Sequence, residues 1–174
     1  MEFIANLDSW VHLNISNIYT PLLTKIMIAF TLMGNFLPTF VVAVIIALYF
    51  RYKKSPNNMK FFIYSVMGST TFMLTIKSII QRPRPSHYLI EATGYSFPSG
   101  HATISTALGF SLYLILSKRV KYKKSLLFLS IAYPLIVSFS RIYLQVHYVS
   151  DVIGGICLSF FWIVFVKYFS NNKR

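Results

Sequence analysis

Acidic residues are almost missing from this chain. Its 174 residues include only Glu2, Asp8, Glu91 and Asp151, against seventeen lysines and arginines, for a net charge of +13. Charged residues of both signs make up 12%, about half of the roughly 25% usual in a soluble domain. Hydrophobic residues make up 55%, and mean hydropathy is +0.58. A soluble globular domain is thereby excluded, and lipid is the expected solvent for a single domain. The one cysteine, Cys157, excludes an internal disulfide. It lies in an apolar segment, where a small buried residue is expected. Internal repeats and low-complexity tracts are missing too, which excludes a solenoid. No basic stretch leads from Met1 into an apolar core, so no signal peptide is expected. The positive charge does not imply nucleic acid, because the cations cluster between apolar runs instead of covering one soluble face.

Those runs give the fold class. An all-α integral-membrane helical bundle is expected, with about five transmembrane helices at 36–50, 59–81, 101–116, 125–141 and 150–168. Residues 1–34 precede them as short interfacial helices, with Asn6 and Asp8 available as caps. The run 22–33 is only twelve residues long and ends at Gly34-Asn35. At 1.5 Å per residue it is too short for a hydrocarbon core of roughly 30 Å, so it should lie on or dip into the membrane. Pro83 and Pro85 stop the second span, and 82–99 is a loop rich in Pro, Gly and Ser. Twelve of the seventeen cations fall in three clusters: Arg51, Lys53, Lys54 and Lys60; Lys118, Arg119, Lys121, Lys123 and Lys124; and Lys167, Lys173 and Arg174. Alternating spans put all three on one face, which the positive-inside rule makes cytoplasmic. The opposite face then receives the loop 82–99 and the turn 141–149.

The scarce acids single out Asp151, which abuts the apolar run 152–166. A carboxylate beside a membrane-like segment costs several kcal/mol unless it has a partner. His147, four residues earlier, is the expected partner. An acid bonded to one imidazole nitrogen fixes the tautomer and leaves the other nitrogen free to attack or to take a proton. Arg141 adds a permanent cation six residues before His147. Nucleophile, orienting acid and guanidinium together point to phosphoryl chemistry. On the same face lie Lys77, Arg84-Pro85 and Pro98-Ser99-Gly100-His101. There Ser99 is placed to cap the third span, and free N–H groups beside Gly100 make an anion site.

Lys77-x6-Arg84-Pro85, Pro98-Ser99-Gly100-His101 and Ser140-Arg141-x5-His147-x3-Asp151 resemble the complete three-part signature of the type-2 phosphatidic acid phosphatase superfamily. That superfamily also includes bacterial acid phosphatases, glucose-6-phosphatase and vanadium haloperoxidases. The signature covers residues 77–151 directly, and the span pattern extends the resemblance from about 36 to the end. Many membrane members have a further N-terminal span where this chain has only short helices. The resemblance implies His147 as the nucleophile, Asp151 as its orienting acid, and His101 as general acid and then base. It implies Lys77, Arg84, Ser99, Gly100 and Arg141 as the phosphate-binding groups, with no metal and no cofactor. Arg82 and His87 share the loop but lie outside the signature, where headgroup contact and plain solvation are both open.

The function expected is removal of a terminal phosphate from a membrane lipid: undecaprenyl pyrophosphate, phosphatidylglycerol phosphate or phosphatidic acid, with lipid A as an alternative. A phosphotransferase using the same phosphohistidine is the rival within this chemistry. A non-catalytic phospholipid-binding or transport protein is the rival outside it. The lipid bilayer and its phosphate-bearing lipid are the partners expected, with no nucleic acid and no obligate protein partner. The active site should face the outside or periplasm of a plasma membrane, with the C-terminus cytoplasmic.

Overall fold

The computed structural model describes residues 2–171, and they are helical throughout apart from turns and one long loop. The helices are α1 (Glu2–Asn14), α2 (Pro21–Leu32), α3 (Phe36–Tyr52), α4 (Pro56–Ile80), α5 (Gly100–Leu116), α6 (Lys123–Tyr143) and α7 (Val149–Asn171), with a 3-10 turn at Ile15–Ile18. No strand occurs among the described residues. Lys173 and Arg174, counted above in the third basic cluster, lie outside them. Helices α4, α6 and α7 are each long and apolar enough to cross a membrane. Helices α2 and α3 reach that length and hydropathy together, as one unit bent by 47° at the break between them. The 17-residue α5 is apolar but shorter.

The short helix is the central one. Helix α5 packs against α4, α6 and α7, and Ala102 through Leu108 are all buried. Small and hydroxyl side chains make this possible, because without water between helices close backbone approach is what holds them together. Two of the hydroxyls are satisfied locally: Thr103 and Ser105 donate to the carbonyls of Ser99 (2.8 Å) and His101 (2.7 Å). Ser159 of α7 donates to the Thr103 carbonyl at 2.6 Å. Gly155 is required at this crossing, since a Cβ would sit 2.7 Å from the Ser99 carbonyl oxygen. The outward faces carry Phe40, Ile45, Met67, Leu129, Phe161 and Val164, exposed as lipid-facing residues must be.

Three details depart from the sequence expectation. Cys157 is exposed. Helix α7 is apolar on every face, so composition could not tell its protein-facing side from its lipid-facing one. Neither Asn6 nor Asp8 opens α1, which starts at Glu2; Asn6 is exposed and Asp8 is buried. Helix α2 does more than lie on the surface. Met27 packs with Tyr143, Leu144 and Val146 at the end of α6, and the Tyr143 hydroxyl lies 3.0 Å from the Thr24 hydroxyl.

The up-and-down order gathers the end of α4, the start of α5, the end of α6 and the start of α7 at one end of the bundle. At the other end Lys60, Lys118 and Lys167 line a common cavity of about 430 Å³. The described members of the basic clusters are therefore segregated from the signature residues.

Candidate active site

Asp151 anchors the site. It is fully buried in the first turn of α7, and its carboxylate has three protein partners. Oδ2 accepts the Tyr148 N–H at 2.9 Å and lies 3.3 Å from His147 Nδ1. Oδ1 accepts from Arg82 Nη1 at 2.8 Å. The ionised carboxylate can only accept, so His147 carries its proton on Nδ1 and turns its lone pair outward on Nε2. His147 sits in the turn just before α7 and is 4% exposed. Burial, helped by Arg84 and Arg141 and opposed by Asp151, pushes its imidazole down to about 4. The ring is therefore neutral at physiological pH, with its outer nitrogen available.

That nitrogen faces Arg84, whose Nη1 lies 3.2 Å from Nε2. The same guanidinium donates to the carbonyls of Val146 (2.7 Å), Thr93 (2.9 Å) and Gly94 (3.0 Å). Lys77 reaches the same loop, donating to the Tyr95 carbonyl at 2.8 Å. Ser96 pins the loop's return by donating from its backbone N–H to the Arg82 carbonyl at 2.8 Å. The loop 82–99 thus forms a strap whose carbonyls hold Arg84 against the buried imidazole and tether the Lys77 ammonium to the loop.

Ser99 caps α5 as expected, accepting the Ala102 N–H. Its own N–H donates to the Asp151 carbonyl at 2.9 Å, tying the start of α5 to the start of α7. At Gly100 a Cβ would meet only Met73 Cε, at the ordinary distance of 3.4 Å, so packing alone does not require glycine there. His101 and Arg141 point to a different neighbour. His101 Nε2 lies 2.9 Å from Asn35 Oδ1, and Arg141 donates to the Thr31 hydroxyl. Both partners flank the bend between α2 and α3. Gly34 at that bend is packed so tightly that a Cβ would come within 2.7 Å of the His101 ring. Arg141 is 5% exposed, and its Nε has no partner among the described residues. The hydroxyls of Ser65, Ser69, Thr106 and Ser138 are also buried without a partner among those residues, but Arg141 Nε is the one charged donor in that group.

The structure therefore gathers all eight expected site residues at one end of the bundle. It adds four that sequence reasoning missed. Asn35 and Thr31 lie in the punctuation that ended the short apolar run. Arg82, whose role the sequence left open between headgroup contact and solvation, bridges Asp151 and Asp8 while 29% of its side chain stays exposed. Asp8 was visible only as one of four acids and as a candidate cap of the first helix. No group of three or more His, Cys, Asp or Glu placed to hold a metal occurs among the described residues. The arrangement as it stands is an oriented imidazole with Arg84 against its outer nitrogen and with Arg141 and Lys77 at the same end of the bundle, suited to an anion bearing several oxygens.

A profile of the PAP2 superfamily matches residues 58–174. Phosphatidylglycerophosphatase B of Bacillus subtilis is 30% identical over 162 residues, covering 88% of this chain and 78% of that protein. The crystal structure of a transmembrane PAP2-type phosphatidylglycerolphosphate phosphatase from Bacillus subtilis matches with a TM-score of 0.90 at 26% identity. The match covers 100% of this chain and 89% of that one. An undecaprenyl-diphosphatase of Sulfolobus acidocaldarius is 39% identical over 82 residues, which is 46% of this chain and 36% of that protein. The profile takes in α4 to α7, which carry every signature residue, and the first relative extends the likeness over most of the chain: it belongs to the PAP2 superfamily, in its branch of membrane lipid phosphatases.

Proposed function

We propose that this protein hydrolyses a terminal phosphate from a membrane lipid through a phosphohistidine on His147. The observation that carries the reading is the buried imidazole held by a carboxylate on one nitrogen and faced by a guanidinium on the other. Binding alone would need only the cations. In the first step the Nε2 lone pair attacks the terminal phosphorus, an N–P bond forms and the P–O bond to the rest of the lipid breaks, an ester bond in a monophosphate and an anhydride bond in a pyrophosphate. His101 gives its proton to the departing oxygen. In the second step His101 takes a proton from water, the water oxygen attacks phosphorus, and the N–P bond breaks to release inorganic phosphate. Asp151 holds the imidazole in its tautomer and balances the positive ring. Lys77, Arg84 and Arg141 neutralise the phosphate oxygens, aided by the Ser99 hydroxyl and the Gly100 N–H. The substrate's oxygens take the place of the carbonyls and the Nε2 atom that Arg84 and Lys77 hold in the free protein.

A lipid fits better than a soluble ester because of what adjoins the site. An apolar groove of about 350 Å³ runs between α3 and α4, lined by Phe36, Phe40, Val44, Val66, Met67 and Ile104. Ile104 lies one turn beyond His101, so a headgroup at the site would leave its hydrocarbon beside this groove. Phosphatidylglycerol phosphate, undecaprenyl pyrophosphate and phosphatidic acid are the candidate substrates. Purified protein in detergent, given each of these lipids, is expected to release inorganic phosphate from at least one. Tight binding of a lipid phosphate with no release from any would leave a binding protein instead. Release only when a second lipid acceptor is added would mark a phosphotransferase.

The site faces the outside of the cell, with the basic end cytoplasmic. Cys157 is exposed, so labelling needs a Cys157→Ser background. In that background a cysteine placed within 86–91 should react with an impermeant thiol reagent on intact cells, and one placed at 118–122 should not. The reverse pattern would put the chemistry in the cytoplasm.

A further inference from the structure

Asp8 is far in sequence from every signature residue, yet it is only 3% exposed. A buried carboxylate is tolerated only when its lone pairs are used. Here Oδ1 accepts the Ser150 N–H at 2.9 Å, and Oδ2 accepts from the Ser150 hydroxyl and, at 2.8 Å, from Arg82 Nη2. Ser150 is the second residue of α7, so Asp8 of α1 satisfies one of the free N–H groups at the start of the helix that carries Asp151. Its negative charge also lies at the positive end of that helix dipole.

Arg82 carries the connection further. Its planar guanidinium holds Asp8 by Nη2 and Asp151 by Nη1, both at 2.8 Å, and lies 4.1 Å over the Tyr148 ring. Such a fork fixes the relative placement of the two carboxylates. It is the only side-chain partner of Asp151 Oδ1 among the described residues. Were Arg82 free to move, the carboxylate could turn about its last torsion and carry Oδ2 away from His147 Nδ1. The charges matter too. Arg82 alone would cancel the negative charge that Asp151 presents to an imidazolium, and Asp8 restores a net charge of minus one to the trio.

We propose that Asp8 is a positioning residue for the nucleophile, acting from α1 through Arg82 and the first turn of α7 on the carboxylate that orients His147. This rests on the phosphatase reading above and adds to it the N-terminal helix as a working part of the site. Asp8 touches neither substrate nor the reacting atoms, so its effect should fall on turnover and not on binding.

The test compares Asp8→Asn, Arg82→Gln and the double variant in full-length protein, reading kcat, KM and thermal midpoint with p-nitrophenyl phosphate and the best lipid. Asp8→Asn keeps size and acceptor but removes the charge. It is expected to lower kcat roughly ten- to a hundredfold, the scale for groups that orient a reactive side chain from one step away, with KM unchanged. The double variant should be slower than Arg82→Gln by much less than Asp8→Asn is slower than wild type, because the main route from Asp8 runs through Arg82 and only its bonds to Ser150 remain to be lost. Gln145→Asn cuts the other tie of α1, the Gln145 Nε2 bond to the His12 carbonyl (2.9 Å), and should keep wild-type kcat. Should Asp8→Asn fail to fold, Arg82→Lys tests the same link, since one ammonium cannot bridge both carboxylates as the fork does. It should lower kcat comparably at constant KM. Wild-type kcat in Asp8→Asn, multiplying losses in the double variant, or an equal loss in Gln145→Asn would overturn the proposal while leaving the phosphatase reading intact. An inactive wild-type protein would overturn both.

Discussion

Replacing His147 with alanine is expected to abolish turnover of every phosphate ester, lipid or not. With no nucleophile there is no phosphoenzyme, and neither the cations nor His101 can supply one. The loss should be on the order of 10⁴-fold or more, the scale on which removing an attacking group acts. The imidazole is also a structural partner of Asp151, so alanine alone would leave a buried acceptor short of a donor. His147→Asn answers this, because its shorter amide keeps a donor near the carboxylate and offers no nucleophilic nitrogen. Both variants should be equally inactive while still binding lipid phosphate, since Lys77, Arg84 and Arg141 remain. Residual activity above about a thousandth of wild type in a folded variant would remove His147 from the nucleophile's role.

His101→Ala should separate substrates instead of silencing them all. A lipid alkoxide is a poor leaving group and needs a proton, so its cleavage should fall by roughly 10²–10⁴-fold, the range for general acid catalysis. p-Nitrophenolate leaves without much help. A burst of about one p-nitrophenol per enzyme should therefore persist even where later turnover slows, because the same imidazole is needed to activate water. A burst lost in parallel with lipid cleavage would mean that His101 does something other than protonate the leaving oxygen. The geometry also places a demand on Asn35. Its amide holds His101 Nε2 at 2.9 Å, so His101 depends on the bend between α2 and α3 for its orientation.

Much of this was legible in the residues themselves, and the part that was not has a consistent cause. The three signature segments could be read because each is short and local: Asp151 four residues after His147, Ser99 opening α5, and Arg84 seven residues after Lys77. The membrane bundle was legible from hydropathy and charge clustering, which need no knowledge of contacts. What escaped was long-range. Asp8 meets Ser150 across 142 positions and Arg82 across 74, and no pattern near Asp8 marks it as other than a cap. Asn35 and Thr31 looked like the end of a helix too short to span. Only the fold shows that this break lies against His101 and Arg141. Cys157 was misjudged because in a uniformly apolar helix the same residue suits lipid and core alike. The useful signal was scarcity. With four acids in 174 residues, each buried one had to be explained, and both buried ones, Asp8 and Asp151, meet at Arg82.

The most direct measurement is capture of the phosphoenzyme. Protein mixed with ³²P-labelled lipid phosphate and quenched in alkaline detergent should carry label that survives base and is lost in acid, as a phosphoramidate is. The label should map to the peptide containing His147, be missing from His147→Ala, and build up in His101→Ala when labelled p-nitrophenyl phosphate is the donor, since that leaving group needs no proton while water attack is impaired. Acid-stable label on a serine, label on His101, or full turnover with no covalent label at any quench time would contradict nucleophilic catalysis by His147.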